Sequence, residues 1–141
     1  MIRAMAVVYE TERLQVRLWV SDEAEVAYDI YGRWEVARWL GADPKPAESV
    51  ESMRATIARW AARQLGAFGI WAVVPRDTGV PVGTVLLVPL QDAEAQPVDE
   101  IEVGWALHPD HWGHGYATEA AAGALARGWA TGLDEVYAVV Y

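Results

Sequence analysis

The segment that follows Pro109 carries the residue types and spacing best suited to chemistry in this chain. Gly113 and Gly115 form a Gly-x-Gly turn, and an alanine-rich stretch that favours a helix follows at once. Such a turn leaves backbone N–H groups unpaired at the positive end of a helix. The small side chains at 120–122 leave room for an anion to approach. We therefore predict that the N–H groups from Gly113 to Thr118 bind phosphate.

Two well-known phosphate motifs do not fit this turn. A Walker loop needs Gly-Lys-Ser/Thr, which the chain lacks. A dinucleotide-binding turn needs a further glycine spacing and an acidic residue on a following strand, and it normally opens its domain. Gly-x-Gly turns are also common without any ligand. A purely structural turn, or a phosphate or nucleotide site of another kind, therefore remain alternatives.

Three histidines, His108, His111 and His114, lie three residues apart around this turn. Together with Asp110 they have the chemistry of metal ligands. They lie across a proline turn rather than on one helical face, and no supporting pattern of carboxylates accompanies them. We therefore predict no metal site, and we expect His114 to lie near the bound phosphate.

Composition limits the class of protein. The 141 residues are 53% apolar, which fits one domain spanning 1–141. A net charge of −9 argues against a general nucleic-acid surface. No apolar run approaches the roughly 20 residues of a membrane helix, so no membrane partner is expected. The absence of cysteine excludes disulfides, thiolate metal sites and a cysteine nucleophile, and the absence of a signal peptide favours a cytoplasmic location.

Hydrophobic periodicity predicts the elements that position the turn. Residues 12–20 alternate as a half-buried strand, with Arg13, Gln15 and Arg17 on the polar side. The predicted order is β-α-α-β-β-β-α-β, and the strand at 98–107, the next helix and the last strand form a parallel βαβ unit. The elements are a strand at 12–20, a helix ending near residue 31, a short helical piece at 33–40, a helix at 47–64, strands at 68–74, 80–90 and 98–107, a helix at 116–131 and a strand at 135–141.

Residues 136–141 of the last predicted strand would form a bare apolar edge, which native proteins avoid. We therefore expect either that the chain is incomplete or that another chain supplies the missing cover. A homodimer is one arrangement that would do so.

The motifs resemble those of GNAT acetyltransferases, and specifically the branch that contains the ribosomal-protein N-acetyltransferases of the RimJ/RimL type. The matching blocks are TERL at 11–14, EVGW at 102–105 and HPDHWGHGYATEA at 108–120. The resemblance covers essentially the whole chain. It implies an α/β (mixed α+β) fold of the GNAT-like acyl-CoA N-acyltransferase type, with a mixed central sheet whose strands at 98–107 and 135–141 splay apart. The family domain continues with a further helix and two strands, which this chain lacks and which often supply the acid for the leaving thiolate.

The resemblance also implies a ligand and its contacts. Acetyl-CoA would lie in the splayed cleft, with its pantetheine arm paired to the strand at 98–107 and its pyrophosphate on the turn. A backbone N–H near Leu107 or His108 would polarise the thioester carbonyl. Trp112 stands where the family usually has Gln or Arg. The implied cofactor-binding residues are Trp105, Ala106, Leu107, Trp112, Gly113, His114, Gly115, Tyr116, Ala117 and Thr118.

The implied reaction is N-acetylation of a primary amine, either a small molecule or a protein N-terminus. Glu102 is the candidate general base, acting through water, because a carboxylate on a central strand is costly unless it is solvated or used. A paired structural acid is the alternative for Glu102, and Glu100 is a second candidate base. Aromatic side chains of the early elements would line an acceptor pocket or pack in the core: Tyr31, Trp34, Trp39 and Trp71. A non-catalytic acyl-CoA-binding or regulatory module is the alternative function.

Overall fold

A five-stranded antiparallel sheet forms the centre of residues 6–141, the part of the chain that the computed structural model describes. The strands follow one another across the sheet in chain order, β1-β2-β3-β4-β5. The strands are β1 (Val7–Glu10), β2 (Leu14–Arg17), β3 (Gly69–Pro75), β4 (Gly83–Gln91) and β5 (Pro97–Leu107). The helices are α1 (Ala24–Tyr31), α2 (Trp34–Ala37), α3 (Val50–Ala62) and α4 (Tyr116–Ala130).

Hydrophobic cores cover both faces of the sheet. On one face α4 packs its alanines Ala120, Ala121 and Ala124 against side chains that include Val85 and Leu87 of β4. On the other face, α1 and α3 pack against alternate residues of the same sheet. Small side chains let α4 approach the sheet closely, which fixes the N-terminus of this helix next to the end of β5. β3 is buried along its whole length because it lies between the two cores.

The sequence predicted most elements to within a few residues. The hairpin β3–β4 is confirmed by its antiparallel register, in which Trp71 lies opposite Val85. The longest early helix begins at its capping residue Ser49, whose hydroxyl accepts a hydrogen bond from the N–H of Ser52 at 3.0 Å. β1 was not predicted, since it is a four-residue strand at the edge of the sheet with an irregular register. Within residues 6–141, none of the helices has both the length and the apolar character needed to span a membrane.

The alternation of the first strand predicted that Arg17 lies on a solvated face, but the structure buries this side chain. It is 2% exposed, and its guanidinium forms a two-pronged pair with Glu23 at 2.8 and 2.7 Å. Its Nη1 also donates to the carbonyl of Leu18 at 3.0 Å. The correction has a physical reason, because helices cover both faces of the sheet and a buried guanidinium needs a carboxylate partner.

Residues 135–141 do not form the strand that the sequence predicted. A single parallel bridge joins Tyr137 to Glu102 of β5. The Tyr137 N–H donates to the carbonyl of Ile101, and the Tyr137 carbonyl accepts from the N–H of Val103, both at 2.8 Å. The pairing direction is therefore parallel, as expected, but hydrogen bonding with β5 stops there. Residues 138–141, which follow the bridge, do not continue the pairing with β5, so the outer edge of β5 is unpaired at its C-terminal end.

Candidate functional site: two clefts at the end of β5

The turn between β5 and α4 takes a conformation that requires glycine. A short 3-10 helix, Pro109–His111, follows the strand, and Gly113 and Gly115 then adopt φ angles of +78° and +79°. Residues with a Cβ rarely adopt this left-handed conformation. Gly115 is the residue that immediately precedes the first turn of α4. The two glycines thus fold the chain sharply enough to bring the helix N-terminus beside the strand end.

The N–H groups of residues 113 to 118 have no acceptor within residues 6–141. The first N–H of α4 with an intrahelical partner belongs to Glu119, which donates to the carbonyl of Gly115 at 3.0 Å. These free donors lie at the positive end of a 15-residue helix. Their arrangement matches the requirements of a bound phosphate or pyrophosphate. All the residues from Gly113 to Thr118 are at least partly exposed, so a ligand can reach the donors.

Arg13 and Glu119 hold the turn from outside. The Arg13 Nε donates to Glu119 at 2.7 Å, and its Nη1 donates to the carbonyl of His114 at 2.9 Å. Glu119 also accepts from the Arg13 backbone N–H at 2.9 Å and from the hydroxyl of Thr11. Burial alone would raise the pKa of Glu119, but these three hydrogen bonds and the charge of Arg13 together lower it. The carboxylate therefore stays ionised and ties the start of β2 to the first turn of α4.

The outer edge of β5 offers backbone groups next to the turn. In a strand, alternate residues direct their N–H and C=O to the same side. Ile101 and Val103 use this side to bond Tyr137, so Trp105 and Leu107 direct theirs to the same open edge. The Leu107 carbonyl accepts a hydrogen bond from the Trp112 indole Nε1–H at 2.9 Å. Ala106 lies opposite Thr84 of β4 and directs its backbone groups into the sheet.

A first cleft of about 530 Å³ opens between this edge and the turn. It contains most of the residues predicted to bind the cofactor. The lining residues are Val36, Trp39, Leu40, Trp105, Ala106, Leu107, His111, Trp112, Gly113, Gly115, Tyr116, Ala117 and Thr118. His114 is the predicted residue that the lining lacks. Its ring stacks on Tyr116 at a centroid distance of 5.9 Å, so only its backbone N–H belongs to the row of free donors.

A second cleft of about 480 Å³ lies beside the first and contains Glu102. The two clefts share Trp39, Leu40, Trp105 and Ala106. Its walls come from α1, the loop after α2, α3, β3, β4, β5 and the segment after the Tyr137 bridge. The other lining residues are Tyr31, Gly41, Trp60, Ile70, Thr84, Leu86, Val103, Gly104, Ala138, Val139, Val140 and Tyr141.

Glu102 has the environment of a general base. Its carboxylate is partly buried and makes no hydrogen bond or ion pair with another side chain within residues 6–141. Burial raises the pKa of Glu102, while the more distant charge of Arg63 partly opposes that rise. A carboxylate with a raised pKa is a better proton acceptor than an ordinary surface glutamate. Glu100, the alternative base, is exposed and lines neither cleft.

The histidines do not come together as a metal site. The described residues contain no group of three or more His, Asp or Glu side chains with metal-binding geometry. His108 is 8% exposed and links the end of β5 to α1, since its Nε2 lies 3.1 Å from Asp29 and its Nδ1 accepts from the Asp110 N–H at 3.1 Å. The backbone N–H of His108 donates to the Val82 carbonyl at 2.8 Å and is therefore not free for a ligand. Of the two N–H groups predicted to polarise a thioester carbonyl, those of Leu107 and His108, the Leu107 N–H is the better candidate.

The aromatic residues predicted for an acceptor pocket divide into two groups. Tyr31 and Trp39 line the second cleft. Trp71 is fully buried in the core on the α4 face, and Trp34 is 54% exposed outside both clefts. Sequence reasoning missed Trp60 of α3, which also lines the second cleft. It also missed the Arg13–Glu119 pair, although both residues lie in the motif blocks that carried the resemblance.

Comparison with known proteins identifies the family. Residues 13–141 match the family model described as an acetyltransferase (GNAT) domain. The chain is 32% identical over 136 residues to a protein named uncharacterized N-acetyltransferase YoaA from Bacillus subtilis (strain 168), covering 95% of this chain and 73% of that protein. The predicted family is therefore confirmed.

Solved structures support the same fold. A GNAT-family acetyltransferase from Bacillus anthracis superposes with a TM-score of 0.73 at 21% identity, covering 92% of this chain and 70% of that one. The ribosomal-protein-S5-alanine acetyltransferase from Vibrio fischeri superposes with a TM-score of 0.68 at 21% identity, covering 92% of this chain and 72% of that one. At this level of identity the likeness concerns the fold, and the predicted GNAT fold is confirmed.

Proposed function

The chain belongs to the GNAT acetyltransferase family, and we propose that it transfers the acetyl group of acetyl-CoA to a primary amine by direct attack. The observation that carries the proposal is the meeting of two clefts at Trp105 and Ala106. One cleft offers donors for a pyrophosphate and the other offers a base. A thioester placed where they meet would be accessible to an amine from the second cleft without any covalent enzyme intermediate.

In this proposal the first cleft binds acetyl-CoA as the donor substrate. The free N–H groups of residues 113 to 118 bind its pyrophosphate. The open N–H and C=O of Trp105 pair with the pantetheine arm, as an added strand would. The Leu107 N–H points to the same edge and donates to the thioester carbonyl, whose oxygen gains negative charge during attack. Gly113 and Gly115 allow the backbone to approach the phosphates closely.

The amine binds in the second cleft and loses a proton before it attacks. A primary amine is mostly protonated at neutral pH, so a base must accept that proton. Glu102 does so through a water molecule in the proposed mechanism. The amine nitrogen then forms a bond to the acetyl carbon, the C–S bond breaks, and the CoA thiolate leaves and takes up a proton. The products are an amide and free CoA.

Two classes of acceptor fit the proposed reaction, a protein N-terminus and a small amine. The Vibrio fischeri protein is named for a ribosomal-protein substrate, which supports the first. A cleft of about 480 Å³ supports the second, since small-molecule sites span about 300–1,000 Å³. Membership of the RimJ/RimL-type branch, a cytoplasmic location and a homodimer remain predictions.

The test is release of free thiol from acetyl-CoA in the presence of a panel of amines. We expect Glu102→Gln to lower kcat by about 10²–10⁴-fold, the usual contribution of a general base, with little change in the KM for acetyl-CoA. Glu100→Gln is the matched control, because it removes an equivalent but exposed carboxylate two residues away and should leave kcat unchanged.

Other outcomes would favour other functions. CoA binding without thiol release for any amine would favour a non-catalytic acyl-CoA-binding module. ATP or NAD binding as tightly as CoA would favour a phosphate or nucleotide site of another kind. If Glu102→Gln and Glu100→Gln have equal rates, Glu102 is not the general base, but the proposal of acetyl transfer itself is not contradicted.

A further inference from the structure

The residue types that line the second cleft indicate which kind of amine it would bind. Among the described residues that line it, Glu102 is the only one with a charged side chain. Five aromatic residues of the lining come from separate parts of the chain, namely Tyr31 of α1, Trp39 after α2, Trp60 of α3, Trp105 of β5 and Tyr141 after the Tyr137 bridge. Aromatic faces attract a cation, and their large apolar area also binds an apolar body. The lining therefore combines one negative charge with an extended apolar wall.

Within residues 6–141, the remaining wall is largely apolar, with the hydroxyl of Thr84 as a polar group and no second carboxylate side chain to pair with another ammonium. Ile70, Leu86, Val139 and Val140 line this cleft together with Glu102. The guanidinium of Arg63 acts on Glu102 from outside the lining. An additional ammonium in the same cleft would lose hydration without gaining a carboxylate, and the charge of Arg63 would repel it.

From this arrangement we propose that the acetyl acceptor is a small primary monoamine with an aromatic or aliphatic body and no second charged group. The inference deepens the proposed function and rests on it. The ammonium lies at Glu102, and the apolar body lies against the aromatic residues. A carboxylate on the carbon next to the amine would face Glu102 and be repelled by it, so free amino acids should be poor acceptors.

Matched pairs of amines test the proposal by thiol release from acetyl-CoA. Hexylamine and 1,6-diaminohexane share a chain and differ by one ammonium, and 2-phenylethylamine and phenylalanine differ by one carboxylate. We expect kcat/KM to be at least about tenfold higher for the first member of each pair, which corresponds to one poorly compensated charge. Equal values within the pairs, or a short peptide acetylated faster than every monoamine, would overturn the proposal.

A gain-of-function variant makes the test sharper. Val139 lines the second cleft and is 43% exposed, so Val139→Glu adds a carboxylate there with little risk to folding. We expect this variant to raise the kcat/KM for 1,6-diaminohexane relative to hexylamine by about tenfold or more. Val80→Glu is the matched control, because Val80 is 50% exposed in the β3–β4 connection and lies outside the cleft. An equal change in both variants would contradict the assignment of the cleft.

Binding measurements separate failure of this inference from failure of the proposed function. If no amine is acetylated, acetyl transfer by this chain is wrong, and calorimetric titration of the same amines in the presence of CoA still tests the cleft. Binding of hexylamine at least about tenfold tighter than 1,6-diaminohexane would support the monoamine site. Absence of binding by either, or equal binding by both, would overturn it.

Discussion

Replacing Gly113 by alanine tests whether the turn before α4 binds the pyrophosphate of CoA. Gly113 has a φ of +78°, and a Cβ built on it meets no other atom within 4 Å because it points into open space. Gly79 offers a matched control in the connection between β3 and β4, with a φ of +69° and equally open surroundings. Both substitutions impose the same kind of backbone strain, but only Gly113 lines the first cleft.

The expected magnitudes follow from this difference. Each alanine in the left-handed region should lower the free energy of unfolding by about 1–2 kcal/mol. Gly113→Ala should also displace or obstruct at least one charge-assisted hydrogen bond between a backbone N–H and the phosphate, with a net value of about 1.5–3 kcal/mol. That loss corresponds to roughly a ten- to hundredfold weaker Kd for CoA. Gly79→Ala should leave the Kd unchanged.

Two measurements on the same samples separate the effects. Urea unfolding gives the stability of each variant, and calorimetric titration with CoA gives its affinity. We expect the two variants to be similarly destabilised and to differ only in affinity. If Gly113→Ala binds CoA as tightly as Gly79→Ala does, the row of free N–H groups does not bind the pyrophosphate and the reasoning about the turn is wrong.

Further substitutions test the groups around the site. Trp112→Phe removes the indole donor to the Leu107 carbonyl. It should lower the free energy of unfolding, measured in urea, by about 0.5–1.5 kcal/mol and raise the KM for acetyl-CoA. An unchanged stability would mean that this hydrogen bond makes no net contribution. Because the pKa of Glu119 is lowered on folding, its ionised form stabilises the fold above the pKa of the unfolded chain, and that stability is lost as the pH falls through the lowered value. Glu119→Gln should therefore unfold at lower urea than the wild type at pH 7, and the difference should shrink in acid; a constant difference would contradict the pairing with Arg13. The pKa of Glu102 is raised on folding, so its ionised form opposes folding at neutral pH, and Glu102→Gln should melt no lower than the wild type at pH 7 in a thermal scan, with any advantage disappearing below the pKa of the unfolded chain.

Local features of the sequence were sufficient to predict most elements and the position of the turn. Glycines at 113 and 115, a proline before them and alanines after them specify a sharp turn and a helix start whatever surrounds them. The alternation of β5 likewise places Glu102 on the face opposite Val103, which lies in the core on the α4 face. Such predictions succeed because backbone geometry and side-chain period are properties of neighbouring residues.

Residue pairs distant in the chain could not be predicted in the same way. Arg13 and Glu119 are 106 residues apart, and only the packing of α4 beside β2 brings them within 2.7 Å. The burial of Arg17 depends on Glu23 and on helices that cover the second face of the sheet. The alternation of the strand is the same whether one face or both are covered, so it could not distinguish a solvated arginine from a buried, paired one.

The amino-acid sequence by itself determined the family, the turn with its free donors and the carboxylate on the strand. Tertiary structure alone decided that two clefts meet beside Trp105, that the pairing of β5 with the following segment stops at Tyr137, and that one charge stands among aromatic side chains. The physical reason is that a cleft has walls from several elements, and its shape and charge depend on how those elements pack rather than on the local pattern of any one of them.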